Sequence, residues 1–503
     1  MKQRTIVNLI YGLLWLLPIY FFGKDFFHLE DLRYIFEEYT IEILKFSVYQ
    51  ALISSGLAFL IALIPAYYVA YKKNILSKLL QGLIFIPFFF PVISTVTVFS
   101  IVFSMDFLKK YEILYSLKAI LIANIFYNSP IFIKYISEGI KKIPRETIEA
   151  FKLDGANELQ IAYYGKLPLL LPQIFRGFIL VFTYAFTSFG IVLSLGGIKY
   201  STLEVEIGNS LKGSMDFSKA FSLGLLQFFM LLLINSIGFK IDEYELNGEG
   251  AVEKVGIFKT LYSLLYIIFQ YGILAVSFIF SFYNFYENKF SLIAIKTIFS
   301  KNFNENYPVL KSISNSILIS GISAICIVMI TYLIIKNYSK LTDIIIFSNL
   351  GISGAFLAIS LYYLNVLFDI PLIILVIIGN IFISIPVAYS LMYQYVKKFP
   401  KDLYEMSLID CTNWYQRYRY VELPILKNLL ISALLQIFAV IFGEFTLVYI
   451  MQIEDILPLV SLVNYSLVSE KKILESSALS SCVVIIILFI FILGEYFKRR
   501  DER

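Results

Sequence analysis

The chain is short of charge. Of its 503 residues only 16% are Asp, Glu, Lys or Arg, while 59% are hydrophobic; a soluble domain carries about a quarter charged residues. That shortage argues against a water-soluble domain and points to the bilayer. Cysteine is scarce as well, and Cys326, Cys411 and Cys482 stand apart without CxxC spacing, which argues against a disulfide framework. The one histidine, His28, sits in the acidic stretch HLEDLRYIFEEY and reads as a solvated surface residue, not a metal ligand. With no cluster of His, Asp or Glu at one depth, a membrane-embedded enzyme is disfavoured, and neither a catalytic residue nor a resident metal is expected. No GxxxxGK[ST] phosphate loop occurs, so the chain cannot hydrolyse ATP by that mechanism. The net charge of +5 is modest. Its basic residues flank apolar runs instead of clustering with aromatics, so they are orientation signals and not a nucleic-acid surface.

What is plentiful is apolar length. Runs that meet the roughly 20 residues of a bilayer helix fall near 5–22, 43–70, 79–103, 113–138, 169–197 and 219–239. Six more fall near 259–283, 309–335, 343–366, 371–396, 425–451 and 474–495. The first run ends in the bulky Tyr20-Phe21-Phe22-Gly23-Lys24 instead of small cleavage-site residues, so it reads as a retained helix and not a signal peptide. The expectation is an all-α integral membrane protein of about twelve transmembrane helices in two halves. The first half is placed at 1–240, with its core at about 43–240; a polar linker follows at 241–258, then a second half at 259–503 with its core at about 309–497. The amino terminus, Lys72, Lys73, Lys78, Lys336, Lys340 and the Lys498-Arg499-Arg500 tail share one side. The positive-inside rule makes that side cytoplasmic, with both termini on it.

Between the fourth and fifth runs of each half lies the same charged island. Lys141 to Pro168 reads KKIPRETIEAFKLDGANELQIAYYGKLP, and 256 positions later Lys397 to Pro424 reads KKFPKDLYEMSLIDCTNWYQRYRYVELP. Extending the register upstream to Asn124 and Asn380 gives 14 identities in 45 positions, most of them Lys, Pro, Glu, Asp, Asn or Gln. Apolar background does not produce matches of that kind. Pro144 suits the start of a helix, along which Ile148, Phe151 and Leu153 are expected to form an apolar stripe. Gly155 breaks it, and Asn157 is placed to cap a second short helix before Leu167-Pro168. One such loop would be an ordinary interfacial segment. Two at matched positions, both on the cytoplasmic side, suggest a docking element used twice.

At these residues the sequence resembles the integral-membrane permeases of ATP-binding-cassette importers, whose signature is Glu-Ala-Ala, three residues, Gly, and a later Leu-Pro. The first copy, with Glu149, Ala150, Asp154, Gly155 and Ala156, is close; the second, with Glu405, Asp410, Cys411 and Thr412, lacks the alanines and the glycine. Gly443-Glu444-Phe445 also looks like a run common in the helix after that loop. The resemblance implies the type I importer fold, two parallel six-helix repeats about a pseudo-twofold axis along the membrane normal. It implies that each loop seats on an ATPase subunit, with two copies of that subunit binding ATP outside this chain. It further implies an extracytoplasmic solute-binding protein, a bacterial inner membrane, and no cofactor in this chain. Fusion of both halves resembles the subgroup importing ferric iron or thiamine, with polyamine and phosphonate importers as relatives; ferric iron is the cargo expected.

If Gly155 takes a positive φ, Cys411 in that conformation would cost about 1–2 kcal/mol, so the second loop is expected to bend differently or to dock less closely. For the pathway, Glu444 is the acid deep in a span, where exposure to lipid is expensive; it either lines a cavity or bonds a neighbouring helix. Thr187 and Ser188 hold the matching place in the first half, while Asn124, Asn128 and Asn380 read first as interhelical glue. Pro87 and Pro91 are expected to kink the third span. The rival in another class, an ion-coupled secondary transporter, predicts several intramembrane charges; Glu444 alone fits it.

Overall fold

The computed structural model describes residues 2–83, 90–197, 199–239, 255–284, 289–349, 351–397, 399–411 and 413–501. Pro87, Thr412 and the linker before residue 255 lie outside them. In the first half, α1 (Lys2–Phe26) is followed by α2 (Glu38–Tyr71), α3 (Ile75–Leu83), α4 (Val92–Ser104) and α5 (Leu117–Lys142). The loop helices α6 (Arg145–Leu153) and α7 (Glu158–Gln160) come next, then α8 (Leu167–Phe186), α9 (Gly190–Leu195), α10 (Leu203–Lys212) and α11 (Phe217–Phe239). The second half runs through α12 (Ile257–Phe282), α13 (Val309–Lys336), α14 (Lys340–Asn349), α15 (Gly354–Phe368) and α16 (Leu372–Lys397). Its loop helices are α17 (Lys401–Asp410) and α18 (Trp414–Arg417), followed by α19 (Leu423–Phe442), α20 (Thr446–Ile450), α21 (Val460–Ser469) and α22 (Ile473–Asp501). Among the described residues the one sheet is a two-stranded hairpin, Tyr283–Asn284 against Lys289–Phe290.

Ten helical runs among the described residues are long and apolar enough to cross a membrane. The third span expected in each half is divided instead. In the second half α14 stops at Asn349 and α15 restarts behind Ser353, whose hydroxyl accepts from Phe356 N at 3.1 Å. In the first half Pro91 is extended, and α4 begins directly after it. That proline is the N-cap of a helix where a kink within one was expected, and lacking an N–H it leaves no unpaired donor of its own at the break. The expected spans 169–197 and 425–451 are likewise interrupted, at 187–189 and at 443–445.

Small side chains let helices approach closely. Along α2, Ala51, Ser55, Ala58, Ala62 and Ala66 are buried at helical spacing, and α2 lies against α5. The duplication survives in three dimensions. Leu203 N donates to Ser47 Oγ at 2.8 Å, and Val460 N donates to Ser316 Oγ at 3.0 Å. Phe182 stacks on Phe186 at 5.6 Å, and Phe438, 256 positions on, stacks on Phe442 at 5.7 Å. Phe189 packs on Phe445 at 6.1 Å. Those two residues are related by the same offset, and a residue that touches its own mate lies on the twofold axis.

The first helix of each half crosses to the other half. Asn8 on α1 donates to Thr342 Oγ1 at 2.8 Å, Asn349 donates to Tyr11 at 2.6 Å, and Tyr363 donates to Asp25 at 2.7 Å. Reciprocally, Gln270 on α12 donates to Phe126 O at 3.1 Å, and Tyr262 to Ile61 O at 3.3 Å. These contacts fix the ends of the bundle. Phe26 O accepts from Ser218, whose neighbour Lys219 pairs with Glu206, which in turn accepts from Tyr39 at the start of α2. The far end of α2 holds Tyr67 and Tyr71, over which Lys166 of the first repeated loop lies at 5.8 and 5.3 Å. Asn8 also reaches Asn337 O, beside Lys336, which pairs with Glu422 of the second loop at 2.7 Å. Both repeated loops therefore leave the bundle at one end, together with the start of α1. The acidic segment around Glu30 to Glu38 lies at the other.

Candidate functional site

The first loop is built from local rules. Ile148 is buried and Phe151 half-buried, with the Phe151 ring against Gly165, where an added Cβ would come within 3.1 Å. Leu153, expected in the same stripe, is 88% exposed: at 100° per residue it stands on the far side of the helix from Ile148. Glu149 is exposed and held by Arg145 Nε at 2.7 Å, one helical turn back. Ala150 and Asp154 are exposed beside it, and Ala156 is half-buried. Gly155 has φ +78°, the left-handed turn that ends helices. Asn157 then caps as expected: its Oδ1 accepts from Gln160 N at 2.9 Å, and Gln160 Oε1 accepts from Asn157 N at 2.8 Å.

The second loop keeps the cap, with Asn413 Oδ1 accepting from Gln416 N at 2.9 Å, but not the turn. Cys411 is extended at φ −103°, ψ 122°, the different bend expected where glycine is missing. Glu405 and Asp410 are exposed. The anchoring also differs. Where the first loop has Lys166 over tyrosine rings, the second has buried Glu422, which accepts from Tyr332 and pairs with Lys336 at 2.7 Å and Arg417 at 3.7 Å. Both loops present apolar side chains to the outside: Leu153 and Leu159 from one, Met406, Leu408 and Ile409 from the other.

A cavity of about 310 Å³ lies where the interrupted helices meet. Asn124, Thr187 and Ser188 line it from the first half and Glu444 from the second, so four of the five residues assigned to a pathway from sequence come together there. Asn380, the fifth, lines a hollow of about 10 Å³ that shares Glu444. Asn124 is also the glue it was read as, donating to Gln50 Oε1 and Ser54 Oγ at 3.2 Å each. Thr187 donates back to Thr183 O at 2.9 Å, leaving its oxygen as an acceptor. Glu444 sits in the break between α19 and α20; its Oε1 accepts from Leu447 N at 2.9 Å, while Oε2 is buried with no hydrogen-bond partner. Sequence reasoning missed the aromatic walls, Phe90, Tyr127, Tyr184, Phe189 and Phe445, because rings inside apolar runs look like lipid-facing bulk. It also missed buried Glu204 on α10, whose Oε1 accepts from Ala355 N at 3.0 Å at the start of α15, and whose Oε2 accepts from Gln227 at 2.6 Å. Glu204 lies between the apolar runs, and nothing in its spacing marks it as buried.

Residues 54–244 match the family described as the binding-protein-dependent transport system inner membrane component. Over this segment the chain is similar to that permease family. The permease domain so defined holds the first repeated loop and the first-half wall of the cavity. The second half is tied to it by the repeat and by the paired contacts about the twofold axis. The chain is 27% identical over 263 residues to the thiamine transport system permease protein of Haemophilus influenzae, covering 47% of each. It is 29% identical over 167 residues to a probable sulfate transport system permease protein of Helicosporidium sp., covering 32% of this chain and 60% of that one. It is 24% identical over 213 residues to the probable transport system permease protein NifC of Clostridium pasteurianum, covering 40% and 74%. The chain thus spans about half the length of the thiamine permease it matches.

Proposed function

We propose that the chain is the membrane-spanning permease of an ATP-driven solute importer in a bacterial inner membrane, with both termini in the cytoplasm. The observation that carries this reading is the pair of exposed, capped loops leaving one end of the bundle at matched positions. Each loop seats on one of two copies of a separate ATPase subunit, which binds and hydrolyses the ATP. An extracytoplasmic binding protein delivers the solute at the opposite end, and alternating access about the twofold axis moves it through the cavity. The match of residues 54–244 to the permease family supports both partners.

Ferric iron, the cargo expected from the fused organisation, draws no support from the relatives described above, two of which are named for thiamine and sulfate. The relatives give better support to a small organic solute such as thiamine. The docking claim is tested by Glu149→Lys, which reverses an exposed charge paired only to Arg145 among the contacts of the structure. The purified variant should melt within a few degrees of the parent yet lose at least tenfold in retention of the ATPase and in ATP-driven uptake. Unchanged retention and uptake would remove the loop from the coupling role.

A further inference from the structure

Resting on the permease reading, we infer that the central cavity is a cation site, built for a flat organic cation with Glu444 as its counter-charge. Among the cavity's lining residues Glu444 is the one side chain of Asp, Glu, Lys, Arg or His type. A carboxylate oxygen buried without a donor is unfavourable, and Oε2 of Glu444 is in that state; an incoming cation supplies the missing partner. The remaining walls suit the same guest. Phe90, Tyr127, Tyr184, Phe189 and Phe445 contribute five rings, and a cation held over ring faces gains about 0.5–2 kcal/mol per good contact when desolvated. The volume of about 310 Å³ is at the small end of ligand pockets, which run from about 300 Å³.

One feature of the lining points the other way. Val92, Gly190 and Thr446, which begin α4, α9 and α20, are also in it, and helix amino termini attract anions. Two of these helices are too short to matter: α9 has 6 residues and α20 has 5, and α20 is already capped by Glu444 itself. That leaves α4, whose terminus carries about half a positive charge, facing the Glu444 carboxyl group as the one acidic side chain of the lining. The net field favours a cation. The start of α4 adds a donor for a neutral acceptor elsewhere on the same solute. A doubly charged oxyanion such as sulfate is repelled.

The test uses the full chain in lipid nanodiscs without its partners, so that it reads the cavity and not the coupling. Binding of radiolabelled thiamine and of choline is measured with sulfate as competitor, for the parent, Glu444→Gln and Glu444→Asp. At least one cation should bind saturably, Glu444→Gln should weaken it by about tenfold or more, the scale of a lost charged contact, Glu444→Asp should restore most of the affinity, and sulfate should not compete. Equal affinity in Glu444→Gln, displacement by sulfate, or failure of both cations to bind would each overturn the inference. If Glu444→Gln does not fold, carbodiimide labelling of the parent decides: the bound cation should protect Glu444, and unprotected labelling overturns the claim. The importer reading is judged separately, by ATPase retention.

Discussion

Gly155 and Cys411 occupy the same position in the two copies of the loop, yet one has φ +78° and the other −103°. A side chain at Gly155 meets nothing within 4 Å, so any penalty for adding one is conformational and not steric. Gly155→Ala should therefore destabilise the first loop by about 1 kcal/mol. Cys411→Gly should instead lose about 0.5–1 kcal/mol through the unfolded chain, because the native backbone there suits any residue. Thermal unfolding of the purified variants reads both, and hydrogen exchange places the effect in its loop. A stabilising Cys411→Gly would mean that the second loop wants the left-handed turn after all. Individual residues were legible in the sequence to the extent that their role was local. Asn157, Gly155 and the bend at Cys411 follow from capping and φ preference alone. Leu153 was misplaced because its angular position on the helix was not weighed, and Glu204 escaped because its partners, Gln227 and Ala355, are remote in sequence.

At the scale of elements, the capping box holds the entry to the segment that runs into α8. Asn157 and Gln160 satisfy each other's backbone N–H groups on an exposed surface, and Ala at a cap position costs about 1 kcal/mol. Asn157→Ala should speed hydrogen exchange over residues 158–166 by about fivefold and leave α8 beyond the first turn unchanged. A change spread over the whole of α8 would show that the cap organises more than its own turn. Apolar length made the long helices readable, since a run of about 20 residues has few alternatives. The interruptions were harder. Gly351 and Ser353 before α15 and Gly354 at its first position are ordinary stop and start signals, overlooked inside an apolar run. Residues 187–189, Thr-Ser-Phe, carry no proline or glycine, and the break there answers to the partner half: Phe189 is where the two halves touch across the axis. Hydropathy records how much of a segment is apolar and is blind to whether its backbone turns.

The whole molecule is held by exchange. α1 of the first half lies along α14 and α15 of the second, and α12 of the second half reaches α2, α4 and α5 of the first while also packing along α22 of its own half. Single interhelical hydrogen bonds in lipid are worth only about 0.6 kcal/mol, so no one of these contacts secures the assembly. What does is their distribution over the full length of two helices, with Tyr11, Trp15 and Phe22 of α1 buried along the way. Nothing in one half's sequence announces which helix will leave it, and the apolar patterns of α1 and α12 read like any other span. The consequence can be tested by cutting the chain in its linker. Co-expressed fragments 1–247 and 248–503 should copurify in mild detergent through a tag on either one, in equal amounts, because separation strips α1 of its seat on α14 and α15 and bares the faces of α2, α4 and α5 that α12 covers. Expressed singly, each should aggregate or be degraded. Recovery of two stable, separate halves would mean that each half folds around its own core and that the exchanged helices are accessory.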